Sequence, residues 1–196
     1  MTSLIKKTRN SFITAVLRSA FSSQRLLVLL ADCQNWQGGK ITPESMFPFI
    51  LQKFIDFPEF RSLLYYRADR GTVFLRLLKI IFPPQSALFI CCPDIGPGLY
   101  LEHAFATIIS ARAIGANAHI NQMVTIGHTA KGSPLIGNNV TIYAGASVIG
   151  DITLGDNVVV GAGAVVLKSV PPDCIVAGIP AKIISTKPPV SAEAPL

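Results

Sequence analysis

The sequence predicts a mainly β chain: a left-handed parallel β-helix of hexapeptide repeats with an N-terminal α-helical cap. Three observations predict it. An aliphatic residue recurs every six positions through the C-terminal half. That ladder survives an inserted loop without losing phase. The first 90 residues show instead the apolar spacing of helices.

The ladder carries most of the argument. Ile108, Ile114, Ile120 and Ile126 stand six apart, and after a step of ten it resumes as Ile136, Ile142, Val148, Leu154, Val160 and Val166. Ten is six plus four, so a four-residue loop enters between positions 126 and 136. Six is neither the helical period of about 3.6 nor the strand period of 2. A short strand followed by a tight corner accounts for it, and three such units close one triangular coil. The pairs Ile136-Gly137 and Leu154-Gly155, eighteen apart, mark equivalent places in successive coils. Small residues two positions before a rung, Ala118 and Ala146, crowd beside it. Gly and Asn after a rung suit corners that need positive φ. Each coil bonds only to its neighbours, so none is stable alone.

The N-terminal part reads differently. Residues 45–57 and 59–68 have helical apolar spacing, and Pro58 sits where a helix can start. Residues 72–82 form a third helix stopped by Pro83-Pro84, residues 4–31 one more, and residues 34–43 a Gly-containing loop. The aromatics Phe47, Phe49, Phe54, Phe57, Phe60, Tyr65 and Tyr66 are expected as core or oligomer contacts. Pro171-Pro172 is expected to end the last coil. The predicted organisation is a cap over 1–90, a β-helix over 91–184 and a Pro-rich disordered tail over 185–196.

Composition narrows the function. Half of the residues are hydrophobic and 14% are charged; so little charged surface favours an oligomer. The net charge of +6 is concentrated in the first 80 residues, and the repeat region has few charges of either sign, which argues against nucleic acid. Cys33, Cys91, Cys92 and Cys174 show no zinc spacing and read as reduced thiols of a cytoplasmic protein. The start of the chain lacks a secretory cleavage pattern, and Arg76, Lys79 and Pro83-Pro84 interrupt the longest apolar region. Residues 1–31 are basic and amphipathic; they either touch the inner face of the plasma membrane or pack in an oligomer.

Four strings carry a family resemblance: GLYLEH at 98–103, VTIG at 124–127, GAGAVV at 161–166 and VAGIPAK at 176–182. With them the chain resembles the hexapeptide acyltransferases, and among those the serine acetyltransferase branch. The segment FPEFRSLLYYR at 57–67 looks like the cap of a subgroup associated with capsule and exopolysaccharide synthesis. The resemblance implies a homotrimer, with a dimer of trimers as a further option. Its active sites lie in grooves between β-helices, with acetyl-CoA along the C-terminal coils. By position it implies Ala144, Gly145, Ala162, Gly163, Lys168 and Lys182 for the cofactor. Ala and Gly leave room for a pantetheine arm; they equally fit coil corners.

Acetyl transfer from a thioester to a hydroxyl needs a base, and imidazole titrates near the operating pH. The resemblance singles out His103 as that base, leaving His119 and His128 lesser candidates. Asp94 or Glu102 is expected to orient His103, although the family's orienting Asp lies about one hexad further ahead. Gln122 or backbone N–H groups near Gly127 are candidates for the oxyanion, and Asn121, Gln122 and His128 for the acceptor. The histidine separations of 16 and 9 do not fit a metal site, so none is expected. In serine acetyltransferases the inserted loop ends in an Arg-His pair and a second acidic residue precedes the base; here the loop ends Gly132-Ser133-Pro134, and that acid is Glu102, one methylene longer. A site without its charged clamps binds a zwitterion poorly. The expected acceptor is therefore a carbohydrate hydroxyl, with serine, in cysteine biosynthesis, as the alternative.

Overall fold

The computed structural model describes residues 2–68 and 73–186. The chain divides into two units, Met1–Gln85 and Ser86–Leu196. The boundary falls slightly before position 90, because the first solenoid strand already begins at Leu88. Residues 187–196, most of the expected tail, lie outside the described residues, and Ser185 belongs to the last strand.

Among the described residues the first unit has five helices: α1 Thr2–Ser19, α2 Ser23–Gln37, α3 Pro43–Asp56, α4 Pro58–Arg67 and α5 Val73–Ile81. Where one helix was expected over 4–31, the chain breaks after Ser19, and the second helix absorbs the start of the expected loop. Helix α3 starts on a reciprocal cap: Thr42 Oγ1 accepts from the Ser45 backbone N–H, and Ser45 Oγ accepts from that of Thr42. Phe54, Phe60, Leu63 and Leu64 form its dry centre. Trp36 meets Phe60 edge-on with ring centroids 4.9 Å apart. Burial raises the Cys33 thiol pKa far above its usual value.

The 57–67 string is explained by this packing. Arg61 donates to the Phe54 and Ile55 carbonyls, both at 3.0 Å, which closes the end of α3. Tyr65 donates to the Phe82 carbonyl at 2.8 Å. Arg67 grips Asp32 through two bonds, Nε to Oδ2 at 2.9 Å and Nη2 to Oδ1 at 3.1 Å, with both side chains buried. These residues hold helices together.

The second unit is a left-handed β-helix of about five coils. Its first face stacks β1 Leu88–Ile90, β3 Thr107–Ile109, β6 Thr125–Gly127, β9 Ser147–Ile149 and β12 Val165–Val166, all parallel. The second face stacks β4 Ala113–Ile114, β7 Leu135–Ile136 and β10 Thr153–Leu154, extended by bridges at Ile95 and Val170. The third face stacks β2 Tyr100–Leu101, β5 His119–Ile120, β8 Thr141–Ile142, β11 Val159–Val160 and β13 Ile175–Ala177. The last strand, β14 Lys182–Ser185, turns antiparallel onto β13 and finishes the stack. Pro171-Pro172 therefore does not end the coil; the chain runs on through it to β13.

The rungs point inward as expected, with one correction. Ile114, Ile120, Ile126, Ile136, Ile142, Val148, Leu154, Val160 and Val166 are buried, but Ile108 is 41% exposed and Ile109 is 0% exposed. Register shows why. Leu101 pairs with Ile120 and Ile109 pairs with Ile126. The first coil thus takes eight steps (101 to 109) where the next takes six (120 to 126), so two extra residues bulge at its corner. Ile108 sits six before Ile114 by coincidence.

Corners are held by side-chain ladders. Asn117 donates to Asn139 at 3.0 Å, Asn139 to Asn157 at 2.9 Å, and Asn157 to Asp173 at 2.8 Å. All four take φ between 54 and 60, where Asn and Asp are tolerated. Beside them is a column of close backbone approach. A Cβ on Gly137 would stand 2.5 Å from Asp156 Oδ1 and 2.8 Å from the Gly155 carbonyl carbon. Gly137→Ala must push two coils apart; thermal denaturation is expected to show a loss of about 1–3 kcal/mol, the scale of overpacking.

Candidate functional site

The edge where the third face turns into the first gathers most of the expected residues. Glu102 and His103 lie there on the first coil, Asn121 and Gln122 on the second, Ala144 and Gly145 on the third, Ala162 and Gly163 on the fourth. The coils are bonded to one another along this edge. Met123 N–H donates to Phe105 O at 2.9 Å, Gly145 N–H to Gln122 O at 3.0 Å and Gly163 N–H to Ala144 O at 2.9 Å.

The eight-step corner presents His103. Its φ is +57, a left-handed conformation, and Ala104 N–H bonds back to Glu102 O at 2.7 Å in a tight turn. His103 is exposed, while Leu101 and Ala104 on either side face the core. A coil of ordinary length has no such protrusion. Backbone strain of this kind concentrates at sites of chemistry.

Below His103 the edge is shallow. Ala162, Gly145 and Gly163 are exposed, and a Cβ on Gly163 would meet nothing within 4 Å. Gly145 and Gly163 have φ of +71 and +67, which glycine adopts without strain. Small residues on a continuous strip leave bare backbone for an extended ligand to lie against.

Glu102 is not joined to His103. Its Oε2 meets His119 Nε2 at 2.9 Å and accepts from Asn121 Nδ2 at 2.7 Å. His119 lies on the outer surface of β5, with its ring centroid 4.8 Å from that of Tyr100. Asn121 is directly below Glu102, because Leu101 and Ile120 are register partners. Among the described residues, Asn121 Oδ1 and Gln122 Oε1 are buried with no hydrogen-bond partner.

The remaining expected residues lie elsewhere. Asp94, His128 and Lys168 are exposed on the edge between the first and second faces. Within one chain Asp94 therefore does not orient His103, because two faces of the prism meet between them. Asp94 uses its backbone carbonyl to accept from Ile114 N–H at 3.0 Å and from the Cys92 thiol at 3.1 Å. His128 Nδ1 lies 3.4 Å from Ser110 Oγ. Gly127 is on that edge too, which removes its N–H from His103. Lys182 is exposed on β14. Among the described residues no group of His, Cys, Asp or Glu is placed to hold a metal ion.

His119 is the residue that sequence reasoning undervalued. The signal was present: it lies seventeen positions after Glu102, one short of a full coil, so the two share a face.

Residues 133–168 match the bacterial transferase hexapeptide family, described as six repeats. The chain is 45% identical over 146 residues to the serine acetyltransferase of Synechococcus elongatus; the match covers 68% of this chain and 60% of that enzyme. It thus spans about 60% of the length of that relative. The solved serine acetyltransferase of Neisseria gonorrhoeae aligns over 88% of this chain and 71% of its own, at 26% identity and a TM-score of 0.65. A serine acetyltransferase in complex with coenzyme A from Brucella abortus aligns over 82% of this chain and 67% of its own, at 27% identity and a TM-score of 0.57. These likenesses overturn the carbohydrate acceptor expected from the short loop, and with it the polysaccharide subgroup; they favour the serine alternative. The loop argument failed because it assumed that a lost clamp must leave the acceptor's charges unmet, whereas charges are met by whichever groups a fold brings near.

Proposed function

We propose that this β-helix with the transferase hexapeptide is a serine O-acetyltransferase that uses acetyl-CoA and has His103 as its general base. The observation that carries the reading is His103 itself, projected from a bulged corner at the head of a strip of small residues. That strip, Ala144, Gly145, Ala162 and Gly163, suits the pantetheine arm. Lys182 at the end of the third face suits the anionic end of coenzyme A.

In the reaction the neutral imidazole of His103 takes the proton from the serine hydroxyl as its oxygen attacks the thioester carbon. The tetrahedral oxyanion collapses, the carbon–sulfur bond breaks, and His103 returns the proton to the departing thiolate. The products are O-acetylserine and coenzyme A.

A homotrimer forms part of the proposal. Asp94, His128 and Lys168 share one edge and His103 another, so a groove between two copies unites them. Light scattering of purified protein tests this; a monomer with full activity removes it.

Cofactor placement has its own test. Ala162→Leu adds an exposed side chain on the strip and is expected to raise the KM for acetyl-CoA about tenfold, the scale of ~1.4 kcal/mol. The melting temperature should stay unchanged, and an unchanged KM would move the cofactor elsewhere.

We place the protein in the cytoplasm. Among the described residues no single helix is long and apolar enough to cross a membrane. Ile13, Val16 and Leu17 of α1 are buried, so contact between residues 1–31 and an anionic leaflet would use the basic face. Absence of vesicle flotation at low salt would sink that contact.

A further inference from the structure

We propose that His119 is a positioning residue for the acceptor: with Asn121 it holds the Glu102 carboxylate beside His103 so that Glu102 seats the acceptor's ammonium group. This rests on the serine reading above. His119 lies outside the strings that carry the family resemblance, and its part follows from the contacts alone.

Glu102 receives two donors from the coil below, and both fall on the same oxygen. His119 Nε2 is 2.9 Å and Asn121 Nδ2 is 2.7 Å from Oε2. This leaves Oε1 available. The side chains of Glu102 and His119 are about three-quarters buried, at 24% and 20% exposure, so the carboxylate is held rather than swinging in water. Tyr100 against one side of the His119 ring and Tyr143 at 6.4 Å restrict that ring in turn.

His119 Nε2 and Asn121 Nδ2 are both spent on the Glu102 carboxylate. Asn121 gives its amide N–H to Glu102, so its own Oδ1 lies one amide width from the carboxylate. That oxygen is buried without a partner, as is Gln122 Oε1 on the same turn. Exchanging the oxygen and nitrogen of the Asn121 amide would instead set its oxygen against the carboxylate, so the bond to Glu102 fixes the assignment. A part-exposed carboxylate oxygen, with partly negative carbonyl oxygens buried behind it, favours a cationic group with N–H donors. The ammonium of an amino acid meets that demand. The residue next to Glu102 is His103, so the seated molecule has its hydroxyl within the reach of the base.

The test compares two acceptors that differ only in the ammonium: L-serine and 3-hydroxypropionate. Each is assayed with acetyl-CoA, using the full-length protein and the variants His119→Leu and His119→Gln. The wild type should favour serine by kcat/KM. In His119→Leu that preference should fall at least tenfold, through a higher KM for serine, while turnover of 3-hydroxypropionate and the KM for acetyl-CoA hold. His119→Gln keeps an N–H donor toward Glu102 and should recover much of the preference. A parallel loss on both acceptors in His119→Leu, or an unchanged preference, overturns the positioning role while leaving the serine reading intact. Silence of the wild type on both acceptors overturns the serine reading, and the proposal falls with it. Ring-nitrogen NMR reads the contact separately: Glu102→Gln should shift the His119 Nε2 resonance, and an unmoved resonance also overturns the proposal.

Discussion

His103→Ala is expected to lower kcat for acetyl transfer to L-serine by about 10²–10⁴-fold, the usual contribution of a positioned general base. Binding of acetyl-CoA, measured by calorimetry, should be unchanged, because the small-residue strip lies on later coils. Stability should also hold. His103 is exposed, and at a φ of +57 alanine carries the same Cβ that histidine already places there. The prediction therefore separates chemistry from folding. A loss of less than about threefold, with intact binding, would remove His103 from the mechanism, since even a weak general base contributes more than that. His128→Ala serves as a contrast, because His128 stands on another edge of its own chain. If the enzyme works as a trimer with grooves between copies, His128→Ala should raise the KM for the acceptor and leave kcat nearly unchanged.

The largest stability effect is expected from Asp32→Ala. The carboxylate is fully buried and takes two bonds from the Arg67 guanidinium, so its removal takes the counter-charge from a buried cation. Breaking such a pair costs about 3–5 kcal/mol, a large part of the total stability of a typical domain, about 5–15 kcal/mol. The measurement is convenient because Trp36 is the only tryptophan and is buried in the helical unit. Its fluorescence during urea unfolding reports that unit, while circular dichroism follows the β-helix. The Trp36 transition should move to much lower urea in Asp32→Ala. The double variant Asp32→Leu, Arg67→Leu should recover part of the loss, since an apolar pair leaves no uncompensated charge. A transition that stays in place would mean that Arg67 finds another acceptor. The Arg67–Asp32 pair also explains why the 57–67 string is a poor guide to substrate: its conspicuous residues are occupied in joining α2, α3 and α4.

The residues of the candidate site divide into those whose placement a repeat can announce and those whose placement it cannot. Ala144 and Ala162, and Gly145 and Gly163, stand eighteen apart, so translation by one coil stacks them on one edge, where the family positions also put them. His103 was singled out through its motif. Within one chain Asp94 is not beside His103. It lies only nine positions before His103, and nearness in sequence suggests contact; in a triangular coil, nine residues carry the chain around to a different edge. Glu102 was rightly placed beside His103 but given the wrong partner.

Taken by itself, the sequence determined the class of fold, the hexad period and most inward rungs. Those features depend on periodicity, and periodicity is local information repeated. The pairing of Asp32 with Arg67 across 35 positions, the outward turn of Ile108 and the two-residue bulge that projects His103 were decided only by tertiary structure. So was the clasp of Glu102 by His119 and Asn121. The physical reason is common to all four. Which side chains meet depends on the register between coils and on packing between helices, and a single insertion resets that register without disturbing the pattern on either side.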